Sequence, residues 1–586
     1  MDTIAEKNAK DHRSISVAEF FERNKHLLGF ENDQKSLLTC VREAIDNALD
    51  ACEDARILPS IYLELQLVKN GIFKLIIEDN GPGIVKRNIP NIFAKLLYGS
   101  KFNLKQSRGQ QGIGISASVL YSQLTTGKPT KIYSRTGDNQ THIYELNINI
   151  KTNEPDIISE LTVDGGAGHG TRIEMFIRGK YTRGKQSVEE YLTETAIMNP
   201  FANIVYINPE GRQFEYPCVV DKLPVAPKSI KPHPHGLELG ILMRLLKHTE
   251  SKNLTGFFTT EFSRIGRGIA VSICNAAEID PKTKPRTLSR DDTEKLLKAL
   301  HKAKIQKPST DCLSPVGEEA IKKGLKKEMN PEFIAVISRP PSVYKGYPFQ
   351  IEVGIGYGGN LQAEGPINIM RFANKVPLLY QQSSCSVTKS VISTGWKKYC
   401  IKQSNGSLPA GPLAIAVHMA SVWVPYTSEG KEAIAAYPAI LKEITLAIQE
   451  AGRKLGRYLS KKRQSHEAKE RLRIFDLYSR ELSTAVGEIT GLDVEKINMD
   501  LKKVIEEKVG DTAIVVHGKG MEIRQTDKAD KDDQAQSQAK ENTGTGDKKA
   551  GHKAQSSLDI FSGAKDNEDS SSSGPKAKTD AEFEDR

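Results

Sequence analysis

Glu43-Ala-Ile-Asp-Asn-Ala-Leu-Asp-Ala51 is the stretch on which the reading of this chain turns. It lies within a run of apolar residues at three- and four-residue spacing, Leu37, Val41, Ile45, Ala48, Leu49 and Cys52. That pattern predicts one amphipathic helix over 33–54, with Asn32 or Asp33 as its cap. Glu43, Asn47 and Asp50 fall at i, i+4 and i+7 and share the face opposite the apolar stripe. One face therefore offers a carboxylate able to draw a proton from water and an amide oxygen able to join the shell of a hard cation. A solvated charged face would have the same pattern, so the neighbouring segments must decide.

Ile61, Leu63, Leu65 and Leu67 alternate, and a second strand over 73–79 follows the turn Lys69-Asn-Gly71, which predicts an antiparallel hairpin. Asp79 closes that strand and leads into Asn80-Gly-Pro-Gly83, where the glycines admit positive φ and close backbone approach. A carboxylate at a strand end can accept from an exocyclic amine such as that of adenine. After a helix near 88–98 comes Gly109-Gln-Gln-Gly-Ile-Gly-Ile-Ser116, a glycine loop running into a helix whose free amides and positive dipole end suit phosphates. Gly168-His-Gly-Thr171 opens another strand at 171–177, and further alternating segments stand at 130–135 and 141–150. The N-terminal part thus reads as a layered α/β domain rich in antiparallel pairing. Its four segments together supply the parts of an ATP site. No Gly-Lys-Ser/Thr occurs, which excludes a P-loop, and Gly354-Ile-Gly-Tyr-Gly-Gly359 lacks the strand-helix-strand surroundings of a dinucleotide site.

A chain of 586 residues is too long for one core and should divide into three or four domains. Lys- and Arg-rich helical sequence runs from 237 to about 324, strand texture returns at 333–338, 348–356 and 411–424, and helices dominate from 432 to about 510. Pro438 is expected to kink the first of these. From about 525 the chain is polar with few apolar residues, a composition that predicts disorder. The net charge is +10, yet residues 519–586 hold 12 Lys/Arg against 15 Asp/Glu, so the body before them is more basic still and suits a polyanionic partner. Seven scattered cysteines without a Cys-x-x-Cys argue against a disulfide framework or a zinc site. No apolar run is long enough to span a membrane and the start is polar, which predicts a soluble, intracellular protein without a membrane partner.

The four segments, in this order, resemble the Bergerat ATP-binding (GHKL) fold shared by type II topoisomerases, Hsp90 chaperones, sensor histidine kinases and MutL proteins. The resemblance implies that Glu43 is the general base, Asn47 the magnesium ligand, and Asp79 the adenine contact. It also implies that Gly83 lies in the adenine turn and that Thr171 makes a second adenine contact. Ser100, Lys101 and the lid Gly109, Gln110, Gln111, Gly112, Ile113, Gly114, Ile115 and Ser116 would wrap the phosphates. Ser16-Val-Ala-Glu-Phe-Phe-Glu-Arg-Asn-Lys-His-Leu-Leu-Gly-Phe30, the basic helical insert and Val424-Pro-Tyr-Thr-Ser-Glu-Gly-Lys-Glu-Ala-Ile434 are similar to the B subunits of type IIB topoisomerases, from about residue 10 to 510.

That likeness implies an α/β (α+β) multidomain chain: a strap and ATP-binding domain over 1–228, a helix-two-turns-helix domain over 229–310, a transducer with helical stalk over 311–510, and a disordered tail over 511–586. Lys431 would reach the γ-phosphate, and Thr427 or Ser428 would cap a helix holding it in its first turn. The implied activity is ATP-driven dimerisation that gates passage of one DNA duplex through another, with cleavage by an A subunit in an A2B2 assembly, using ATP and Mg2+. Arg264 and Arg267 in Ser263-Arg-Ile-Gly-Arg-Gly268, and Trp396, Lys397, Lys398 and Tyr399, are the candidate DNA contacts. Gln555-Ser-Ser-Leu-Asp-Ile-Phe561 partly matches a sliding-clamp motif. A MutL-like clamp should end in a folded dimerisation domain, and an Hsp90-like chaperone has no use for a basic helical insert.

Overall fold

The computed structural model describes residues 14–99, 104–109, 112–165, 168–428 and 430–508, with two short strands beyond them. Ser16 caps α1 (Val17–Arg23), and its hydroxyl also donates to the Ile150 carbonyl, which fixes this N-terminal strap to the domain it precedes. The expected long helix is α2 (Asp33–Asp54), capped by Asn32, whose side chain accepts from the Lys35 amide at 2.9 Å. Its stripe of Leu37, Val41, Ile45, Ala48 and Leu49 is buried against an eight-stranded sheet.

That sheet contains β1 (Ser60–Lys69), β2 (Ile72–Asp79), β3 (Thr130–Thr136), β4 (Gln140–Asn149), β5 (Glu154–Asp164), β6 (His169–Arg178), β7 (Asn203–Ile207) and β8 (Gln213–Tyr216). The order is β5-β4-β3-β6-β2-β1-β7-β8, and every pairing is antiparallel except β1 with β7. The hairpin of β1 and β2 is as expected. β5 has no alternating pattern and β7–β8 are short, so neither appears in the reading from sequence. Helices α3 (Ile89–Ala94), α4 (Gly114–Thr126) and α5 (Val188–Met198) complete the domain. The β2–β6 register sets Asp79 opposite Thr171, so two of the sequence segments meet through main-chain pairing.

The helical insert holds α6 (Leu239–His248), α7 (Leu254–Glu261), α8 (Arg267–Ala276) and α9 (Arg290–Lys302) around their own core of Leu242, Phe257, Phe258, Ile273 and Leu296. The next helix, α10 (Glu318–Met329), packs instead on α5 and on the second sheet. That sheet is built from β9 (Phe333–Ser338), β10 (Ser342–Tyr344), β11 (Tyr347–Tyr357), β12 (Asn368–Ala373), β13 (Val376–Pro377) and β16 (Leu413–Ser421), with β14 (Lys402–Gln403) and β15 (Pro409–Ala410) as a separate ribbon. Gly354 and Gly356 lie inside β11, where a Cβ on Gly354 would stand 2.6 Å from Leu325, so the Gly-x-Gly-x-x-Gly match serves helix-on-sheet packing. α11 (Ser386–Ser393) covers one end of this sheet, and α12 (Pro438–Thr490) runs from it for 53 residues before turning back into α13 (Val494–Lys508).

One expectation needs correction here. Pro438 does not kink a helix but begins one, at the first helical position, where its missing N–H is no loss. After α13 in sequence, β17 (Ala513–His517) pairs antiparallel with β18 (Gly520–Arg524). The clamp-like Gln555–Phe561 lies outside the described residues. No helix among them is long and apolar enough to cross a membrane.

Candidate functional site

A cavity of about 510 Å³ opens between α2, the end of β2, the glycine loop and the loop after β16. Glu43, Asn47, Asp79, Gly83, Gly109, Gly112, Ile113, Gly114, Ile115, Thr171 and Lys431 all line it, so residues spread over 389 positions meet in one space. Ser116 stands one residue further, its hydroxyl donating to the Ile113 carbonyl at 3.0 Å within the first turn of α4. Ser100, Lys101, Gln110 and Gln111 lie outside the described residues.

At one wall the Asp79 carboxylate is buried, and its Oδ1 accepts from the amides of Gly81 at 2.8 Å and Thr171 at 3.3 Å. Burial raises its pKa from 3.8 to about 7, against the pull of those two amides. Gly83 has φ of 72°, and a Cβ there would stand 1.8 Å from the Arg135 carbonyl oxygen, so only glycine brings the turn this close to β3. Gly170 is constrained in the same way, since a Cβ there would stand 2.2 Å from the Asp79 carbonyl oxygen.

At the opposite wall the Glu43 carboxylate reaches the start of α4. A Cβ on Gly114 would lie 1.9 Å from Glu43 Oε2, so the third glycine of the lid exists to admit the carboxylate. Arg42 Nη2 donates to Glu43 Oε1 at 3.0 Å. Asn47 Nδ2 donates back to the Glu43 carbonyl at 2.8 Å, which leaves Asn47 Oδ1 buried without a hydrogen-bond partner among the described residues. An unsatisfied buried oxygen is costly unless something fills the site, and a hard cation bound mainly by phosphate oxygens and water fits one such ligand. The residue capping α4, Ile113, offers no side-chain bond to the first turn, so its amide donors face the cavity unclaimed by a cap.

The polar face of α2 divides. Glu43 and Asn47 turn to the cavity, whereas Asp50 turns away and binds Arg108 Nη1 at 2.7 Å. Arg108 is buried and also meets Glu53 and Asn199, and Glu53 in turn meets Lys375 of the second sheet. The carboxylates around Arg108 raise its pKa despite burial, whereas burial lowers that of Lys375. These cations were not singled out from sequence. Arg108 directly precedes the lid and Asp50 and Glu53 are three residues apart on one helix, which is the signal that was available.

Lys431 reaches the cavity as expected but not from a helix. An isolated bridge pairs Tyr426 with Ile434, and Lys431 between them takes φ of 53°. Its Nζ donates to the Arg108 carbonyl at 3.2 Å. Neither Thr427 nor Ser428 caps a helix, because the helix starts only at Pro438.

The candidate DNA contacts separate likewise. Arg264, at φ of 62°, and Arg267, at the start of α8, are exposed on the insert. Lys397 and Lys398 are exposed too, but Trp396 is fully buried and its Nε1 donates to the Val391 carbonyl at 2.8 Å, so its ring belongs to the core and is corrected as a contact. Tyr399 lies in a notch on α12, where a Cβ on Gly452 would stand 2.7 Å from its ring.

The fold and this site define the class of histidine kinase-, DNA gyrase B- and HSP90-like ATPases, whose family model matches residues 32–178. The topoisomerase VI B subunit transducer model matches residues 308–471. The chain is 50% identical over 505 residues to the type 2 DNA topoisomerase 6 B subunit of Methanococcoides burtonii, covering 86% of this chain and 81% of the relative. It is 50% identical over 454 residues to the protein of that name from Archaeoglobus fulgidus, covering 77% and 75%. The relative from Metallosphaera sedula is 36% identical over 507 residues, covering 86% and 94%. The chain belongs to the family of type 2 DNA topoisomerase 6 B subunits, and the repair-clamp and chaperone readings fall away. It is an ATP-dependent subunit of a type II topoisomerase.

Proposed function

We propose that nucleotide closes two copies of this chain over DNA and that hydrolysis at Glu43 reopens them, while a partner A subunit cuts and reseals the duplex in an A2B2 assembly. The observation that carries this reading is Lys431: a residue of the second sheet domain lines the same cavity as Glu43, Asn47 and Asp79, so that domain can sense what the cavity holds. Asp79 accepts the adenine amine beside Thr171 and Gly83. The amides at the start of α4 and the lid residues hold phosphate oxygens. Lys431 leaves the Arg108 carbonyl for the γ-phosphate. Glu43 takes the proton of the attacking water as the bond to the leaving ADP breaks.

Asn47 Oδ1 would hold a magnesium ion, which when bound neutralises phosphate charge. Arg264, Arg267, Lys397 and Lys398 bind duplex phosphates, and the exposed Phe475, Leu477, Tyr478 and Leu482 near the far end of α12 suit the A subunit. A cytoplasmic, nucleoid-associated location accords with this work.

With a purified A subunit, Glu43→Gln is expected to bind ATP but lose turnover by roughly 100- to 10,000-fold. Undiminished hydrolysis would remove Glu43 as the base. Lys431→Ala is expected to lower ATP-dependent supercoil relaxation; wild-type relaxation would end its assigned role.

A further inference from the structure

Arg42 is adjacent to the proposed base but belongs to none of the sequence segments that define the site. Its guanidinium joins two parts of the molecule. Nη2 donates to Glu43 Oε1 at 3.0 Å, and Nη1 donates to the carbonyl of Gly430 at 3.1 Å. The third nitrogen, Nε, is buried and has no hydrogen-bond partner among the described residues. A planar fork of this kind fixes the relative position of two acceptors, which the single ammonium of lysine does less well.

Gly430 is the residue before Lys431. The loop that carries both is held to α2 at a second point, since Glu432 is buried and pairs with Lys35 and with Gln381. Three consecutive residues, 430 to 432, therefore each contact the ATP-binding domain: the first through Arg42, the second through the Arg108 carbonyl, the third through Lys35. Lys431 and Glu43 are thus linked through one guanidinium and one peptide unit.

We infer that Arg42 is a positioning residue that makes the aim of the Glu43 carboxylate depend on where the Lys431 loop sits. While the loop is docked, the Gly430 carbonyl orients the guanidinium and the guanidinium orients Glu43. When the loop withdraws, Nη1 loses that acceptor, and Glu43 loses the orienting contact that the loop supplies through Arg42. Hydrolysis is then restricted to the docked state of the loop. The inference rests on the proposed roles of Glu43 and Lys431 and deepens them.

The test uses the full chain with its A subunit, measuring kcat and KM for ATP in wild type, Arg42→Gln, Lys431→Ala and the double variant, alongside Glu43→Gln. Arg42→Gln is expected to lower kcat about 10- to 100-fold with KM within about threefold, because only the chemical step loses its geometry. Lys431→Ala is expected to cost at least fivefold less in the Arg42→Gln background than in wild type, the mark of two groups acting through one path. Arg42→Lys should recover part of kcat. A shift confined to KM, or effects of Arg42→Gln and Lys431→Ala that multiply independently, would overturn the inference. Glu43→Gln keeps the two levels apart: full turnover there removes the base itself, whereas a dead Glu43→Gln beside independent Arg42 and Lys431 effects removes only the link. Binding of a non-hydrolysable ATP analogue by Arg42→Gln checks that it folds, and Arg42→Lys carries the same comparison if it does not.

Discussion

Asp79 is a carboxylate placed where ionisation is hard, with its pKa raised by burial to about 7. With the proposed contact, in which the adenine amino group donates an N–H to Asp79, the ionised form is favoured, so ATP affinity is expected to weaken as pH falls through about 7, when a proton must first leave. Without nucleotide the sign reverses. The raised pKa contributes stability fully present below the ordinary value of 3.8 and lost as pH rises through about 7. Calorimetric ATP titrations between pH 6 and 8 check the first effect, and Asp79→Asn should bind about 5- to 150-fold more weakly with that pH dependence gone. Gly114→Ala is expected to abolish turnover in a steady-state ATP hydrolysis assay, because its Cβ and Glu43 Oε2 would claim one position. Glu43, Asn47, Asp79 and Gly83 were legible in sequence because each sits in a short segment with its own local chemistry. Arg108 and Lys375 were not, because their partners stand 55 and 322 residues away from them.

Among the elements, α10 and α5 meet more closely than side chains allow. A Cβ on Gly324 would lie 2.2 Å from the Ile197 carbonyl oxygen, and backbone cannot step aside as a side-chain end can. Gly324→Ala is expected to cost about 1–3 kcal/mol in urea unfolding. α2, with its clear apolar stripe, has the bounds read from sequence, whereas the helix expected near 88–98 ends at Ala94. The loop before α12 was not legible. Its polar residues at 427–431 supply capping chemistry in sequence, but the Tyr426–Ile434 bridge and buried Glu432 are tertiary contacts that overrule it. Trp396 was misassigned for a similar reason, since Lys397 and Lys398 advertise a surface that the indole between α11 and α12 does not share.

Across the whole molecule, the two sheet domains are joined by charge sealed from water. Lys375 meets Glu53 of α2, and the Lys375 amide donates to His418 Nε2 at 3.0 Å, while His418 Nδ1 meets Glu352 at 2.8 Å in the heart of the second sheet. Lys375→Ala leaves Glu53 with less compensation and is expected to cost about 3–5 kcal/mol in thermal unfolding. DNA binding belongs to this scale too. Arg264→Ala and Arg267→Ala should each weaken duplex binding alike across sequences and reduce the slope of log K against log salt by about 1, as fluorescence anisotropy would show.

The root of α12 holds Ile440, Ile444, Ile448, Ala451 and Leu455 in the core of the second sheet, and the helix leaves that core after Leu459. The remaining 31 residues to Thr490 extend about 45 Å at helical rise. The helix begins seven residues after Lys431. On the role proposed for Lys431, that length would work as a gear ratio: a turn of about 10° at the buried root carries the tip about 8 Å, so an ångström-scale change at a phosphate would become a displacement of nearly a strand-pair's width where the next subunit would feel it.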